Sequence, residues 1–458
     1  MNIFKRSTLD MTKGKEWKLI IIFAIPIFFS SLFQTLYNIV DSIIVGQFVG
    51  DEALASVSSS GSLIFLFNSF FIGLASGAGV VIARFFGMND HVNMRKAIHN
   101  DILVGLCSGA FLTILGVFLS PVILKAMGTP ENVIEGSITY FRIYFYGVSG
   151  VILYNTFSSI LQALGDSLRP LIFLIIASIM NVGLDFLLIV GLDMGVAGAS
   201  LATIISQFLS ALLAFLVLLP KKKIYHFNPK ELKFDKRIIK LILYNGVPSA
   251  IQNSVIGLAN VFVQSNINSF GDLVMAGCGA YNRIEGFAFL PVNCFQLSIA
   301  TFVSQNLGAG EKDRAIKGSR FAIVTSLIMA EGIGVITYFS APSLIGIFLN
   351  QDSAKEVLDA GVTALRTVCF FYPLLAFSHL IASVLRGSGK AVIPMIIMLS
   401  IWCIFRVTYI TIAMNIDHSL RVLYAAYPIT WGMSSVIYFI LYFFTKWYNV
   451  KKKDAIEE

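Results

Sequence analysis

Phe48-Val49-Gly50-Asp51 returns 221 residues later as Ser269-Phe270-Gly271-Asp272. The echo carries on through the chain. Arg84-Phe85-Phe86-Gly87 is answered by Gln305-Asn306-Leu307-Gly308, Gly165 followed by Pro170 by Gly389 followed by Pro394, and Arg142 by Arg366, at offsets between 221 and 224. One plan repeated at nearly constant spacing marks an internal duplication. The text between these landmarks is almost entirely apolar, so the repeated plan is a bundle of membrane helices. Two such halves are the usual body of a secondary transporter, whose path runs between the repeats.

Hydrophobic residues make up 56% of the 458, charged residues only 13%, and the mean hydropathy is +0.79. A soluble surface cannot be built from so few charges, so the chain is integral to a membrane. Apolar runs long enough to cross about 30 Å of hydrocarbon at about 1.5 Å per residue predict twelve helices. They lie near 18–46, 53–83, 97–124, 133–159, 168–191, 195–219, 241–267, 273–304, 321–341, 357–384, 391–414 and 422–445. The fold class expected is therefore all-α, with twelve transmembrane helices in two pseudo-symmetric six-helix bundles around a central cavity. Residues 1–219 form the N-terminal lobe, 220–240 a basic cytoplasmic linker and 241–458 the C-terminal lobe.

With the N-terminus inside, 27 of the 34 Lys and Arg fall on the inner side, and only Lys125, Lys355 and Arg421 on the outer; Arg142, Arg283, Arg366 and Arg406 lie within helices. The positive-inside rule thus puts both termini in the cytoplasm of a cell whose plasma membrane holds the chain. The net charge of +8 is a topology signal, and nucleic acid is not an expected partner. No cleavable signal peptide is apparent. The cysteines, Cys107, Cys278, Cys294, Cys369 and Cys403, fall within helices without metal-ligand spacing, so no disulfide and no metal cluster are expected.

Several polar residues are out of place in such helices. Gln34, Tyr37, Asn38 and Asp41 recur at i, i+3, i+4 and i+7 on one stripe of the first helix. An ionised aspartate in hydrocarbon costs roughly 2.5 kcal/mol or more, so it seeks a wet cavity or a partner; an interfacial position for Asp41 is the alternative. Asn181 and Asp185 share a face of the fifth helix, and Thr203 follows on the sixth. Counted from the outer helix ends, Asp41, Asp185 and Thr203 lie about 8, 9 and 12 Å deep, so the three can meet. Two carboxylates with amide and hydroxyl oxygens suit a proton or a small hard cation; a purely structural hydrogen-bond network is the other reading. Helix 7 carries Asn253, Asn260, Gln264 and Asn268 but no carboxylate. Pro26 and Pro248 stand at matching places in helices 1 and 7 and mark a hinge or a packing kink. Arg283, Glu285 and Arg406 are expected either to form an internal ion pair in the second bundle or to line the path.

The stretch ending in Asp41 before Gly46, Asn181-Val-Gly-Leu-Asp185 with Gly195-Val-Ala-Gly-Ala-Ser-Leu-Ala-Thr203, and Gln305-Asn306-Leu307-Gly308-Ala309-Gly310 resemble the multidrug and toxic compound extrusion (MATE) family, over roughly residues 12–447. The resemblance implies two six-helix lobes in a V around a cavity. It also implies antiport by alternating access, in which organic, often cationic, compounds leave in exchange for inward H+ or Na+. The chain looks most like the DinF-like branch, whose cation site resembles Asp41, Asn181, Asp185 and Thr203. It departs from the NorM-like pattern, which has acidic residues on helices 7 and 10 where this chain has amides and His379. By the same resemblance Gln34, Tyr37, Asn38 and Asn155, with Asn260 and Gln264 of the second lobe, are candidates for substrate contact. A monomer without cofactor is expected, with the bilayer and small organic cations as its partners. The alternative is a flippase for lipid or lipid-linked oligosaccharide of the same superfamily. An intramembrane enzyme is disfavoured: no Gly-x-Ser-x-Gly turn, His-Glu-x-x-His motif or Gly-x-Gly-Asp is present.

Overall fold

The computed structural model describes residues 8–126, 131–349 and 355–449. Among the described residues the regular structure is all helical. In chain order the helices are α1 (Glu16–Phe48), α2 (Asp51–Gly87), α3 (His91–Ala126), α4 (Glu131–Ala163), α5 (Leu168–Asp185), α6 (Gly195–Leu218), α7 (Lys236–Asn268) and α8 (Asp272–Ala288). They continue as α9 (Leu290–Gly308), α10 (Lys312–Phe339), α11 (Ala341–Gly346), α12 (Lys355–Val368), α13 (Tyr372–Gly387), α14 (Val392–Ile397), α15 (Arg406–Ile416) and α16 (Leu420–Phe444). Some join end to end. A π-helical stretch, Phe186–Gly191, extends α5; a second, Met398–Phe405, joins α14 to α15; α8 meets α9 at Phe289, and a 3-10 turn links α12 to α13. Among the described residues the long segments then number twelve, at the places the apolar runs predict.

Ten of the twelve are apolar and long enough to cross a membrane. The exceptions are α4 and α7, and for α4 the reason is packing. It lies against α2, α3 and α6, so its Ser137, Tyr140 and Tyr144 are buried in protein rather than facing lipid, where polar side chains are costly.

The chain divides into two compact units: Ile25–Ala250 with the short stretch ending at Asp10, and Ile251 onward with Met11–Ala24. Of the three division points, one lies between Asp10 and Met11 ahead of α1, and two fall inside helices, just before Pro26 in α1 and just after Pro248 in α7. The same internal plan recurs. In the first unit α4 is the central helix; in the second its counterpart, α12 with α13, packs against α8, α9, α10 and α16. The repeated glycines also do the same physical work in both halves. Gly50 and Gly271 precede α2 and α8 at φ +109° and +92°, and Gly165 and Gly389 each turn at +84°, a region that a side chain disfavours.

Close approach fixes the inner half of α7 within the first unit. Gly73 and Gly77 of α2 face Gly246 and Ala250 of α7, and a Cβ on Gly77 would lie 2.2 Å from the Gly246 Cα. Small residues four apart are how membrane helices bring their backbones together. The Asp235 N–H donates to Asn100 Oδ1 (2.9 Å), and Lys96 pairs with Asp235 at 3.5 Å. The basic 220–240 stretch is likewise fastened, since Tyr225 and Phe227 belong to the inner apolar core of this unit and His99 Nε2 lies 3.1 Å from Asn228.

In the second unit the Gln305-Asn306 landmark holds the segment that leads into α1. Gln305 Oε1 accepts from the Met11 N–H (3.1 Å) and Asn306 Nδ2 donates to the Met11 carbonyl (3.1 Å). Arg314 donates to Asn306 Oδ1 (3.1 Å) and to the Gly14 carbonyl (2.8 Å). Met11 is fully buried there.

Candidate functional site

The first unit has two apolar cores. One gathers the inner ends of α2 to α6 around Ile98, Leu161 and Phe173; the other gathers the outer ends around Phe141, Phe145 and Ile189. Where they meet, polar side chains from α1, α2, α4, α5 and α6 converge. Leu174 of the inner core, with Tyr37, Ser178, Asn181, Thr203, Ser206 and Gln207, lines a cavity of about 10 Å³, space for about one water molecule. Tyr140 and Tyr144 border the cluster from the outer core.

Asp41 (8% exposed) and Asp185 (0%) are both buried. Their carboxyl groups are neighbours. Asn181, one turn before Asp185, is 1% exposed, and neither its Oδ1 nor its Nδ2 has a hydrogen-bond partner. Both oxygens of Asp185 and Oδ1 of Asp41 are also unpartnered, as are the Ser206 hydroxyl and Gln207 Oε1. Buried polar atoms are paired in the great majority of proteins, and a concentration of exceptions calls for a cause. Thr203 Oγ1 donates to the Ala199 carbonyl (3.1 Å), which leaves its lone pairs free to accept. Tyr37 reaches the Gln207 side chain, and Tyr144 accepts from Asn68 Nδ2 (2.8 Å).

Helix geometry explains the convergence. Tyr37 and Asp41 are four apart on α1; Ser178, Asn181 and Asp185 follow an i, i+3, i+7 stripe on α5; Thr203, Ser206 and Gln207 follow i, i+3, i+4 on α6. Asp185 is the last α-helical residue before the π-helical stretch, a distortion that often occurs at functional positions because it re-aims the side chains beside it.

The structure brings together Asp41, Asn181, Asp185, Thr203 and Tyr37. It does not bring the other named residues to them. Gln34 and Asn38 are exposed on α1. Asn155 is half-buried, and its Nδ2 donates to the Val151 carbonyl of its own helix (2.9 Å). Asn260 is exposed in the second unit, where Gln264 donates to Asn268 (2.9 Å). The internal ion pair expected of Arg283, Glu285 and Arg406 is absent. Arg283 is exposed over the Phe348 ring (5.8 Å), Glu285 accepts from the Tyr281 hydroxyl (2.6 Å), and Arg406 lies on aromatic rings. Aromatic faces and a phenol satisfy these charges instead of one another.

Sequence reading missed Asn68, Tyr140, Tyr144, Ser178, Ser206 and Gln207. The α5 and α6 stripes were a usable signal for three of them. Tyr140 and Tyr144 give no such signal, because tyrosine at that spacing serves an apolar core equally well.

As an assembly the site presents two carboxylates, an amide and a hydroxyl, all hard oxygen donors; the amide of Asn181 and the hydroxyl of Thr203 line the small cavity, and Asp185 lies one turn beyond Asn181 on the same helix. Two ionised carboxylates side by side repel, and either a shared proton or a cation between them relieves this.

The MatE family profile matches residues 26–187 and 248–412. A curated relative, "Probable multidrug resistance protein YoeA" of Bacillus subtilis strain 168, is 28% identical over 448 residues, covering 95% of this chain and 96% of its own. Among solved structures, a MATE in complex with MaL6 superposes with a TM-score of 0.89 at 22% identity, over 96% of this chain and 98% of its own. An outward-facing multidrug resistance MATE transporter of the MOP superfamily gives 0.88 at 22%, again over 96% and 98%. At these identities the structural likeness speaks to the fold.

Proposed function

Because the chain belongs to the MatE family of multidrug and toxic compound extrusion transporters, we propose that it is an antiporter of the cell membrane. In this reading it exports organic cations in exchange for inward H+ or Na+ bound at Asp41 and Asp185. Membership makes it a transporter and not an enzyme. The observation that supports ion coupling is the group of unpartnered buried oxygens on Asp41, Asn181 and Asp185. A bound ion supplies the partner those atoms lack. It also accounts for retaining two facing carboxylates, which a merely structural role would not require.

The acidic character of the cluster favours a cationic substrate. The relatives' multidrug names favour export over the flippase alternative. Exchange proceeds by alternating access, with Pro26 and Pro248 as the points where α1 and α7 change their bend and with both termini in the cytoplasm. Gln34 and Asn38, exposed on the turns of α1 that carry Tyr37 and Asp41, are the substrate contacts this reading proposes for the first unit. Asn155, Asn260 and Gln264 are weaker candidates for the same task.

The test is efflux of a fluorescent organic cation from proteoliposomes with H+ and Na+ gradients imposed one at a time. Acceleration by at least one gradient is expected. Rates indifferent to both gradients would refute antiport, and selective movement of a lipid reporter would favour the flippase.

A further inference from the structure

The inner end of α7 carries a feature apart from the acidic cluster. Lys236, Ile239, Lys240, Leu243 and Tyr244 line a surface recess of about 460 Å³. Their spacing, i, i+3, i+4, i+7 and i+8, puts all five on one face of the helix. That face is graded along its length. Lys236 stands where α7 begins and Lys240 one turn on, whereas Leu243 (39% exposed) and Tyr244 (56%) lie roughly 10 to 12 Å beyond Lys236.

Both lysines are exposed. The two acids of the linker are engaged elsewhere. Asp235 Oδ1 accepts from the N–H groups of Arg237 (3.1 Å) and Ile238 (3.3 Å), and its Oδ2 pairs with Lys96 (3.5 Å); Glu231 accepts from Asn228 Nδ2 (3.0 Å). Asp235 thus caps the helix, and an anion in the recess meets ammonium groups in place of helix-end N–H groups. Eight Lys and Arg against these two acids leave residues 221–240 strongly positive. The backbone under the recess is held within the first unit, by the approach of Gly246 to Gly77 and by the bond from Asp235 to Asn100.

An occupant that fills this recess is anionic at one end and apolar at the other. A free phosphate engages the lysines and leaves Leu243 and Tyr244 bare, and a soluble acidic peptide gains nothing from following α7 into the apolar layer. We propose that the recess binds an anionic phospholipid, its phosphate at Lys236 and Lys240 and an acyl chain along Leu243 and Tyr244. The proposal shares with the functional reading only the orientation that puts this end in the cytoplasm, hence the lipid in the inner leaflet. There a basic residue beside the membrane surface favours anionic lipid by about 5-fold, so the two lysines together give roughly 25-fold.

The experiment is native mass spectrometry of the purified full-length protein in detergent, titrated with dioleoyl phosphatidylglycerol or dioleoyl phosphatidylcholine. Wild type is expected to bind the first phosphatidylglycerol roughly 25-fold more tightly than phosphatidylcholine. The preference should disappear in Lys236→Gln/Lys240→Gln and persist in Lys221→Gln/Lys222→Gln, which removes the same charge outside the recess. Leu243→Ser should weaken both lipids and leave the preference intact. Glycerol 3-phosphate, which has the phosphate without the chains, should fail to displace phosphatidylglycerol. Equal affinity of wild type for the two lipids would overturn the proposal, as would an equal loss of preference in the two double variants, which would mark diffuse charge. Displacement by glycerol 3-phosphate would make this a phosphate site and refute the lipid, and unchanged lipid binding in a folded Leu243→Ser would refute the placement of the chain. The wild-type lipid and glycerol 3-phosphate titrations decide the matter even if a variant fails to fold.

Discussion

Asp41→Asn is expected to yield a folded protein whose efflux no longer responds to an imposed H+ or Na+ gradient, the driven rate falling to the rate without a gradient. The amide keeps the shape of the buried side chain but cannot gain or lose charge, so the facing pair with Asp185 ceases to be a pair of carboxylates. Asp41→Glu keeps the charge and should retain part of the response. Proteoliposome efflux with each gradient applied separately is the measurement. A wild-type response in Asp41→Asn at equal protein content would make the residue structural.

The second large effect falls on folding. Gly77→Val places a branched side chain where even a Cβ would lie 2.2 Å from the Gly246 Cα and 2.4 Å from its nitrogen, and the obstacle is backbone, which cannot swing aside. Overpacking of this kind costs roughly 1–3 kcal/mol and occasionally more, so a lowered melting temperature and a poor yield of monodisperse protein are expected. Gly286→Ala is the control. It meets nothing within 4 Å on α8, and replacing a mid-helix glycine should be neutral or stabilising by up to about 1 kcal/mol. Equal melting temperatures for the two variants would show that the α2 and α7 backbones do not depend on this contact.

The fold was open to sequence reading because both of its signals are physical necessities. A helix that faces lipid is apolar over most of its length, and a turn at positive φ favours glycine; hence, among the described residues, the twelve segments appear at the predicted places and the repeated landmarks Gly50, Gly271, Gly165 and Gly389 all stand at positive φ. Asp41, Asn181 and Asp185 were legible for a related reason, since a polar side chain in such a helix demands an explanation. The π-helical stretches after Asp185 and before Arg406 left no trace in composition, because they change backbone spacing and not residue type. Of the two expectations for Arg283, Glu285 and Arg406, the ion pair does not form, because sequence shows charges that can pair but not the aromatic faces that compete for them; Tyr427 and Trp402 hold Arg406, and Tyr281 holds Glu285. Gln34 and Asn38 share a helical stripe with Asp41, yet they are exposed while Asp41 is buried. A stripe about 100° wide straddles the edge of a bundle as readily as it faces the interior.

The account stands on the linkage between ion and substrate, which must be reciprocal if the acidic pair is the coupling site: whatever factor the ion removes from substrate affinity, the substrate removes from ion affinity. The most direct measurement is equilibrium binding of a fluorescent organic cation to the purified protein across pH and Na+ concentration, in wild type and in Asp41→Asn. Substrate affinity should fall in the wild type as H+ or Na+ neutralises Asp41 and Asp185, and the Asp41→Asn titration should be flat. Wild-type affinity independent of both ions would contradict the account.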